Sequence, residues 1–408
     1  MSKINSSNGF STICIHGGFA KESNKSHITP IYASSTFLFD DADEIEALFS
    51  GKQEGFIYSR WGNPTVTEVE KKLAALECYQ LKDQQGNALQ AKALLHATGM
   101  AALSTLFFST LKAGDKVLTH LSLYGGTQEL FDKVLSQHGV EATVIDFDDH
   151  LAIEAELQNG NYKMVYIETP ANPTLRCIDI EAVTKIAKQH NCLVAVDNTF
   201  ATPYLQQPFR FGVDFVFHST TKFLNGHGTA LGGALIGIDL EFMNTTATKH
   251  LRLLGGSASA FDAFLLNNGI KTLELRMDRH CSNATQVANF LNTHTAVASV
   301  NYLGLDNNKY KSIATKQMKH AGAMLSFELK GGYEDAKRFI NAVELCNNAV
   351  SLGTADTILC HSASTTHVGV PRELRIASGI SDGLIRVSVG LESIEDLLTD
   401  LNQALNKL

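Results

Sequence analysis

The chain has 408 residues, of which 44% are hydrophobic and 19% are charged, and its formal net charge is −8. A single hydrophobic core stops growing at roughly 250 to 300 residues, so more than one domain is expected. An acidic chain without a cluster of Lys and Arg is also a poor non-specific binder of nucleic acid. We therefore expect an ordinary globular protein with no nucleic-acid partner.

The sequence also argues against membrane insertion, export and metal binding. No apolar run reaches the roughly 18 residues of a membrane span, and the N-terminal MSKINSSNGF has no apolar signal core. The seven cysteines are scattered without a C-x-x-C pair, and the histidines show no H-E-x-x-H spacing. We expect a cytoplasmic protein with free thiols, no membrane partner and no metal.

The N-terminal part of the chain is irregular. Residues 1–65 contain one short acidic helix signal, at 40–49, and such a stretch is unlikely to hold a core alone. Apolar side chains at helical spacing then predict a helix across 66–76. A polar segment at 80–92 follows, and we interpret it as a surface loop without a function of its own.

Strand and helix signals alternate beyond this loop. Strands are predicted at 93–95, 117–119, 143–145, 164–167, 192–196 and 215–217, and helices at 126–138, 151–158 and 183–187. This alternation predicts parallel β-α-β units. A long helix signal at 270–290 then leads into a second α/β unit, with a strand at 324–329 and helices at 334–347 and 393–406. We therefore expect a large domain over 66–265 and a smaller C-terminal α/β domain over 266–408.

An acid, two hydroxyls and a lysine follow two of the predicted strands. One apolar run ends at Asp197, and another ends just before Ser219, Thr221 and Lys222. Continuously apolar runs are typical of buried parallel strands, whose carboxyl ends bind ligands in open α/β sheets. Each residue alone is more typical of a turn, a loop or a surface amine. Their order suits pyridoxal 5′-phosphate, because the acid can keep the ring nitrogen protonated, the hydroxyls can bind phosphate, and the lysine can bind the cofactor covalently.

With these residues, the chain resembles the Cys/Met-metabolism family of pyridoxal-phosphate enzymes. This family includes cystathionine γ-synthase, cystathionine lyases, methionine γ-lyase and O-acylhomoserine sulfhydrylases. The resemblance rests on seven ordered motifs: YSRWGNPT at 58–65, ATGM at 97–100, LYGGT at 123–127, ETPANPT at 168–174, VDNTFATPYLQ at 196–206, HSTTKFLNGHG at 218–228 and SDGLIRVSVGLE at 381–392. It implies an α/β fold of fold type I, with a mainly parallel large domain and a smaller C-terminal α/β domain.

The resemblance also implies an oligomer with shared active sites. In relatives the N-terminal arm, here 1–65, lies over a neighbouring subunit, and the subunits assemble as tetramers built from dimers. Tyr58 and Arg60 match the residues that reach the cofactor phosphate of the partner chain.

Further site residues follow from the same resemblance. Gly99 and Met100 precede an apolar helix, where backbone amides can bind phosphate, although a glycine there is more often a plain turn. Tyr124 matches the tyrosine that stacks on the pyridine ring, and its phenol could act as an acid toward a leaving group. Its spacing alone is more typical of a core aromatic residue.

Three residues are expected to bind the amino-acid substrate. Asn172 matches the asparagine near the cofactor's phenolic oxygen and the substrate carboxylate, although an asparagine before proline also suits a turn. Arg386 matches the arginine that binds the α-carboxylate through two hydrogen bonds, with Ser351 as its companion. An arginine in an apolar strand needs such a partner, because burying it unpaired costs several kcal/mol.

The motifs favour γ-replacement on an O-acylhomoserine with a sulfur nucleophile, with methionine γ-lyase or cystathionine γ-lyase as the alternative. Methionine γ-lyases typically carry Cys where Gly126 stands. They also carry a Lys-Asp pair before the glycine aligned with Gly255, whereas this chain reads Leu251-Arg252-Leu253-Leu254. PANPTLRCIDI also resembles synthases and sulfhydrylases, whereas KTLELRMDRHCSNA is close to lyases. A nicotinamide dehydrogenase would need the G-x-G-x-x-G that ATGMAALS lacks, and an inactive binding protein would lack the lysine or the aspartate.

Overall fold

The structure is a computed structural model that describes residues 8–19 and 25–408. Residues 1–7 and 20–24 of the predicted N-terminal arm lie outside the described residues. The helices are α1 Phe10–His16, α2 Ala42–Phe49, α3 Pro64–Glu77, α4 Gly99–Thr110, α5 Gly125–Lys133, α6 His150–Asn159, α7 Ile180–Gln189, α8 Thr202–Leu205, α9 Leu240–Phe242, α10 Thr248–Leu254, α11 Ala260–Ile270, α12 Leu273–Thr293, α13 Lys311–Gln317, α14 Gly332–Ala342, α15 Arg372–Ala377 and α16 Ile394–Leu405. No helix in the described ranges is both long and apolar enough to cross a membrane.

Two sheets form the framework of the fold. The strands are β1 Lys92–His96, β2 Lys116–His120, β3 Glu141–Ile145, β4 Tyr162–Glu168, β5 Leu193–Asp197, β6 Phe215–His218, β7 Gly233–Gly237, β8 Val297–Asn301, β9 Met324–Leu329, β10 Asn347–Asn348, β11 Ile358–His361 and β12 Leu384–Ser388. The larger sheet has seven strands in the order β1-β7-β6-β5-β4-β2-β3, and the smaller has five in the order β10-β11-β12-β9-β8. The α/β fold with a large sheet and a smaller second sheet is therefore confirmed.

The chain divides into two compact units. The first comprises Met1–Thr110, Phe217–Thr221 and Thr229–Thr272, and the second comprises Leu111–Val216, Lys222–Gly228 and Leu273–Leu408. The division into 1–65, 66–265 and 266–408 stays a prediction.

In the first unit, the predicted helix after the arm forms α3. The Asn63 side chain accepts the Thr65 N–H at the helix start, and Pro64 occupies the first turn, where its missing N–H is tolerated. Val69, Leu73 and Leu76 are fully buried, which is the apolar face expected from their spacing. This face packs against β1, which pairs antiparallel with β7.

In the second unit, parallel strands bring acidic side chains to one edge of the sheet. β2 pairs parallel with β3 and β4, and β4 pairs parallel with β5. The residues from Met164 to Ile167 are fully buried, because both faces of a parallel sheet are covered. The register sets Glu168 opposite Asp197 at the carboxyl ends of these strands.

The smaller sheet, also in the second unit, carries Arg386 on its strand β12. β12 lies between β9 and β11 and is antiparallel to both, with Arg386 opposite Ser326 and Cys360. α14 packs on β9 and β11, and α16 packs on α14. The interior position of β12 explains why Arg386 is only 3% exposed.

Two local features differ from the sequence-based expectation. The long helix predicted at 270–290 is α12, which begins only at Leu273, and a separate helix that was not predicted, α11, ends at Ile270 just before it. The strand β7 was not predicted, because it begins and ends in glycine, which weakens strand propensity. A β-carbon on Gly233 would lie 2.4 Å from the Thr98 carbonyl oxygen, so the glycine permits a close backbone approach.

Candidate active site

The first unit places Gly99 beside Ser219. Gly99 begins the twelve-residue helix α4, and the Ala101 N–H donates to the Thr98 hydroxyl at 3.1 Å. A β-carbon on Gly99 would lie 3.4 Å from the Ser219 hydroxyl oxygen, so this hydroxyl is directly beside the helix start. Met100 is the second residue of the helix. A helix start beside a hydroxyl is suited to phosphate, because backbone N–H groups and the helix dipole both attract anions.

The loop after β6 is held from two sides within the first unit. The Thr221 hydroxyl accepts the Gly232 N–H at 3.0 Å. At the end of β6, His218 is fully buried and hydrogen-bonds to the equally buried Glu77. These contacts restrain the segment that carries both predicted phosphate-binding hydroxyls.

Tyr58 and Arg60 form a separate group in the first unit. The Arg60 guanidinium lies 5.5 Å from the centre of the Tyr58 ring and donates to the Arg252 carbonyl oxygen at 2.7 Å. Tyr58 is 41% exposed. Their contact with a partner's cofactor stays a prediction.

The second unit contains Lys222, the predicted catalytic amine. Its Nζ donates to the Ser351 hydroxyl at 3.1 Å. Burial, and then repulsion by Arg386, lowers the pKa of Lys222 to about 8. A lowered pKa increases the fraction of neutral amine near pH 7, which is the form that attacks an aldehyde and accepts a proton.

Arg386 and Asn172, also in the second unit, are hydrogen-bonded to each other. Arg386 donates to the Ser351 carbonyl oxygen at 2.6 Å and to the Asn172 side-chain oxygen at 3.2 Å. Its Nε is buried without a hydrogen-bond partner in the described part of the chain. A buried guanidinium with neutral partners and an unused N–H is suited to an incoming carboxylate.

Tyr124 and Asp197 are placed at the edge formed by β4 and β5. The Tyr124 backbone N–H donates to Glu168 Oε2 at 2.6 Å, and its side chain is 51% exposed. Asp197 Oδ1 accepts the Thr199 N–H at 2.9 Å. The half-exposed Tyr124 is therefore not the core aromatic that its spacing alone suggested.

Comparison with known proteins places this set of residues in a family. The model of the Cys/Met metabolism PLP-dependent enzymes matches residues 11–406. The chain belongs to this family. It is 44% identical over 98% of both chains to L-methionine γ-lyase of Fusobacterium nucleatum subsp. polymorphum, and 36% identical to O-succinylhomoserine sulfhydrylase of Pseudomonas aeruginosa over 98% of this chain and 96% of that one. The crystal structure of cystathionine γ-synthase from Xanthomonas oryzae superposes with a TM-score of 0.90 at 35% identity, covering 98% of each chain.

The residues of this Cys/Met-metabolism enzyme fit pyridoxal phosphate, the cofactor of the family. In the first unit, the helix start at Gly99 and the Ser219 hydroxyl beside it suit a phosphate. In the second unit, the half-buried Lys222, with its pKa lowered to about 8, suits an aldehyde. When bound, pyridoxal phosphate supplies an electron sink that stabilises negative charge on the substrate α-carbon. The expected cofactor class is therefore confirmed.

Sequence reasoning missed the residues that support the loop after Lys222. The buried Arg276 of α12 donates to the Phe223 carbonyl oxygen at 2.8 Å. Gly226 has a φ of +71°, and a β-carbon there would lie 2.0 Å from the Arg276 guanidinium. A β-carbon on Gly353 would lie 2.6 Å from the Phe223 nitrogen. The glycines in HSTTKFLNGHG and SLGT were the available signal, but one sequence does not show which side chain approaches them.

Proposed function

We propose that this enzyme catalyses γ-elimination on L-methionine, converting methionine and water into methanethiol, ammonia and 2-oxobutyrate. The extent of the relationship to methionine γ-lyase, 44% identity over 98% of both chains, carries this proposal, because the sulfhydrylase is less similar at 36%. The γ-replacement reaction that the motifs favoured moves to second place. Both reactions begin at the α-carbon of an amino acid and belong to sulfur amino-acid metabolism.

The geometry in the second unit supports the shared first half of both reactions. Ser351 bonds to Lys222 through its hydroxyl and to Arg386 through its carbonyl, so one residue holds the amine and the carboxylate-binding group. We propose that Arg386 and Asn172 bind the substrate α-carboxylate. Lys222 then accepts the α-proton, and Asp197 keeps the cofactor nitrogen protonated.

The leaving group requires a proton donor. We propose that the Tyr124 phenol donates a proton to the departing sulfur. The phenol belongs to a half-exposed side chain whose backbone is held by Glu168, which leaves the ring accessible to a ligand.

A second candidate function, γ-replacement on an O-acylhomoserine, is favoured by a cationic groove in the first unit. The groove has a volume of about 440 Å³ and none of its lining residues is acidic; they are Arg60, Trp61, Asn244, Thr245, Thr248, Lys249, Arg252 and Leu253. Three cations would attract an anionic ester such as a succinyl group. Gly126 also stands where the resemblance expects the cysteine of methionine γ-lyases, and the run Leu251-Arg252-Leu253-Leu254 lacks their Lys-Asp pair.

A substrate comparison separates the two functions. We expect methionine to give the highest kcat/KM when methionine, cystathionine, O-acetylhomoserine and O-succinylhomoserine are supplied separately, with 2-oxobutyrate as the product. Added sulfide or cysteine should leave the rate of 2-oxobutyrate formation largely unchanged. Faster turnover of either ester, with 2-oxobutyrate replaced by homocysteine or cystathionine when a thiol is present, would assign γ-replacement instead.

We also propose that two chains share each active site and that the dimers pair into tetramers in the cytoplasm. The exposed Tyr58 ring and the neighbouring Arg60 guanidinium support this proposal, since they form a cationic surface available to a partner's phosphate.

Mixing two inactive variants tests the shared site. Arg60→Ala and Lys222→Ala chains, unfolded together and reassembled, should recover up to about one quarter of wild-type activity. Half of randomly paired dimers are mixed, and one of the two sites in each mixed dimer receives both intact residues. Each variant reassembled alone is the control. Mixed dimers that form and stay inactive would exclude sharing through Arg60.

A further inference from the structure

We propose that Glu168 is a positioning residue of this site: a neutral carboxylic acid that holds the backbone of Tyr124 and leaves the single negative charge of the pair on Asp197. Glu168 lies in ETPANPT, but neither the motif comparison nor the reaction assigns it a role. The inference does not depend on which leaving group the enzyme accepts. It does rest on the proposed placement of Tyr124 and Asp197 at the cofactor ring.

The strand register brings the two acids together. Glu168 ends β4 and Asp197 ends β5, and they are paired in a parallel ladder. Paired residues of adjacent parallel strands project to the same face, and such strands lie about 4.8 Å apart. Glu168 is only 4% exposed. Two carboxyl groups this close, one of which is buried, cannot both ionise without a large cost, so one of them keeps a proton.

The groups that face Glu168 do not neutralise it. The titratable groups are Asp197 on β5, Tyr166 on β4, whose hydroxyl lies 3.5 Å from Oε1, and His120 on β2, which accepts the Glu168 backbone N–H at 2.9 Å. The uncharged Thr127 hydroxyl of α5 also faces the carboxyl. Burial lowers the pKa of His120 to about 3, so this imidazole is neutral. Burial, and then Asp197, raises the pKa of Glu168 itself to about 8.

The proton on Glu168 has a consequence for the cofactor. Asp197 has to carry a negative charge to keep the ring nitrogen protonated, so Glu168 is the member of the pair that stays neutral. Its Oε2 accepts the Tyr124 N–H at 2.6 Å, which fixes the start of α5 and the aromatic side chain next to it. The Glu168 side chain therefore both positions Tyr124 and leaves the negative charge of the pair on Asp197.

The test compares Glu168→Gln with Glu168→Ala in the cofactor-loaded enzyme. Glutamine is neutral and retains an oxygen that can accept the Tyr124 N–H, so the dissociation constant for pyridoxal phosphate should stay within about threefold of wild type. Alanine removes the acceptor of the half-buried Tyr124 N–H and should weaken cofactor binding about tenfold or more. Glu168→Gln should also remove one protonated-carboxyl band from the infrared spectrum at neutral pH.

The pH dependence of unfolding provides a second readout. A carboxyl whose folded pKa is raised stabilises the protein at low pH, and this stabilisation is lost as pH rises toward about 8. The unfolding temperature of the wild type should therefore fall as pH rises from about 4.5 to about 8. The part of this fall that comes from Glu168 should be absent in Glu168→Gln. Glu70→Gln is the matched control, because burial raises the pKa of Glu70 to about 7 and its Oε1 accepts the Leu95 N–H. It should lose an infrared band without a change in cofactor affinity.

Two results would overturn the inference. In the first, Glu168→Gln weakens cofactor binding as much as Glu168→Ala, which would show that Glu168 acts as an anion. In the second, Glu168→Gln leaves the protonated-carboxyl bands unchanged. A failure of the methionine assay would affect neither readout, because both are measured without turnover.

Discussion

Replacing Lys222 with alanine is expected to abolish the visible absorption of the bound cofactor and to lower kcat about a thousandfold or more. The amine is needed both to bind the cofactor covalently and to accept the α-proton. In the structure it is half-buried, its Nζ donates to Ser351 at 3.1 Å, and its pKa is lowered to about 8. The measurement is an absorption spectrum with a turnover assay.

Borohydride reduction identifies the lysine directly. We expect the mass of the cofactor to be fixed on the peptide that contains Lys222. Lys72 is the matched control, since it is fully buried, its pKa is also lowered to about 8, and its amine donates to Asn267 at 2.6 Å. Cofactor mass on the Lys72 peptide, or a colourless wild-type protein, would contradict the assignment of the site.

Replacing Arg386 with alanine is expected to lower kcat/KM about a hundredfold or more, mainly through a higher KM, while cofactor absorption is retained. Two charge-assisted hydrogen bonds to the substrate carboxylate would be lost, each worth about 1.5 to 3 kcal/mol. Arg386→Lys should recover only part of the loss, because an ammonium group cannot reproduce the planar fork. Steady-state kinetics with the best substrate of the four-substrate comparison measure both effects.

A second buried arginine provides the control for this substitution. Arg375 is 5% exposed, but its guanidinium is paired with Asp382 and also donates to the Ile380 carbonyl oxygen. Arg375→Ala should lower the unfolding temperature without a comparable rise in KM. If Arg386→Ala behaves in the same way, with KM near the wild-type value, Arg386 is structural and does not bind the substrate carboxylate.

The preferred reaction shows the limit of reasoning from single positions. Gly126 and the run Leu251-Arg252-Leu253-Leu254, which lacks a Lys-Asp pair, differ from the pattern of methionine γ-lyases, and these differences favoured γ-replacement. Similarity over nearly the whole chain points instead to the lyase, which was the alternative. Specificity for a leaving group depends on small differences in free energy, because one apolar group contributes only about 1 to 3 kcal/mol of discrimination. Differences at a few positions therefore predict the reaction less well than seven ordered motifs predict the cofactor.

Local periodicity was sufficient for most of the elements that position the site. The continuously apolar runs that end at Asp197 and His218 form β5 and β6, and the helical spacing after residue 65 forms α3. Such elements are predictable because side-chain burial in a strand or helix follows the chain's own geometric period. The glycine-bounded β7 was missed because its stability comes from pairing with β1, and that pairing does not appear in a local pattern.

The sequence by itself determined the family, the cofactor and the types of residues that the chemistry requires, because these depend on motifs whose order along the chain is visible. Only the tertiary structure decided which of these residues meet. Lys222 bonds to Ser351, 129 positions away, and Arg386 reaches Asn172 across 214 positions. The role proposed for Glu168 likewise comes from its pairing with Asp197 and its burial. The pKa values of such groups are properties of the folded chain, because desolvation and neighbouring charges exist only once distant segments have packed together.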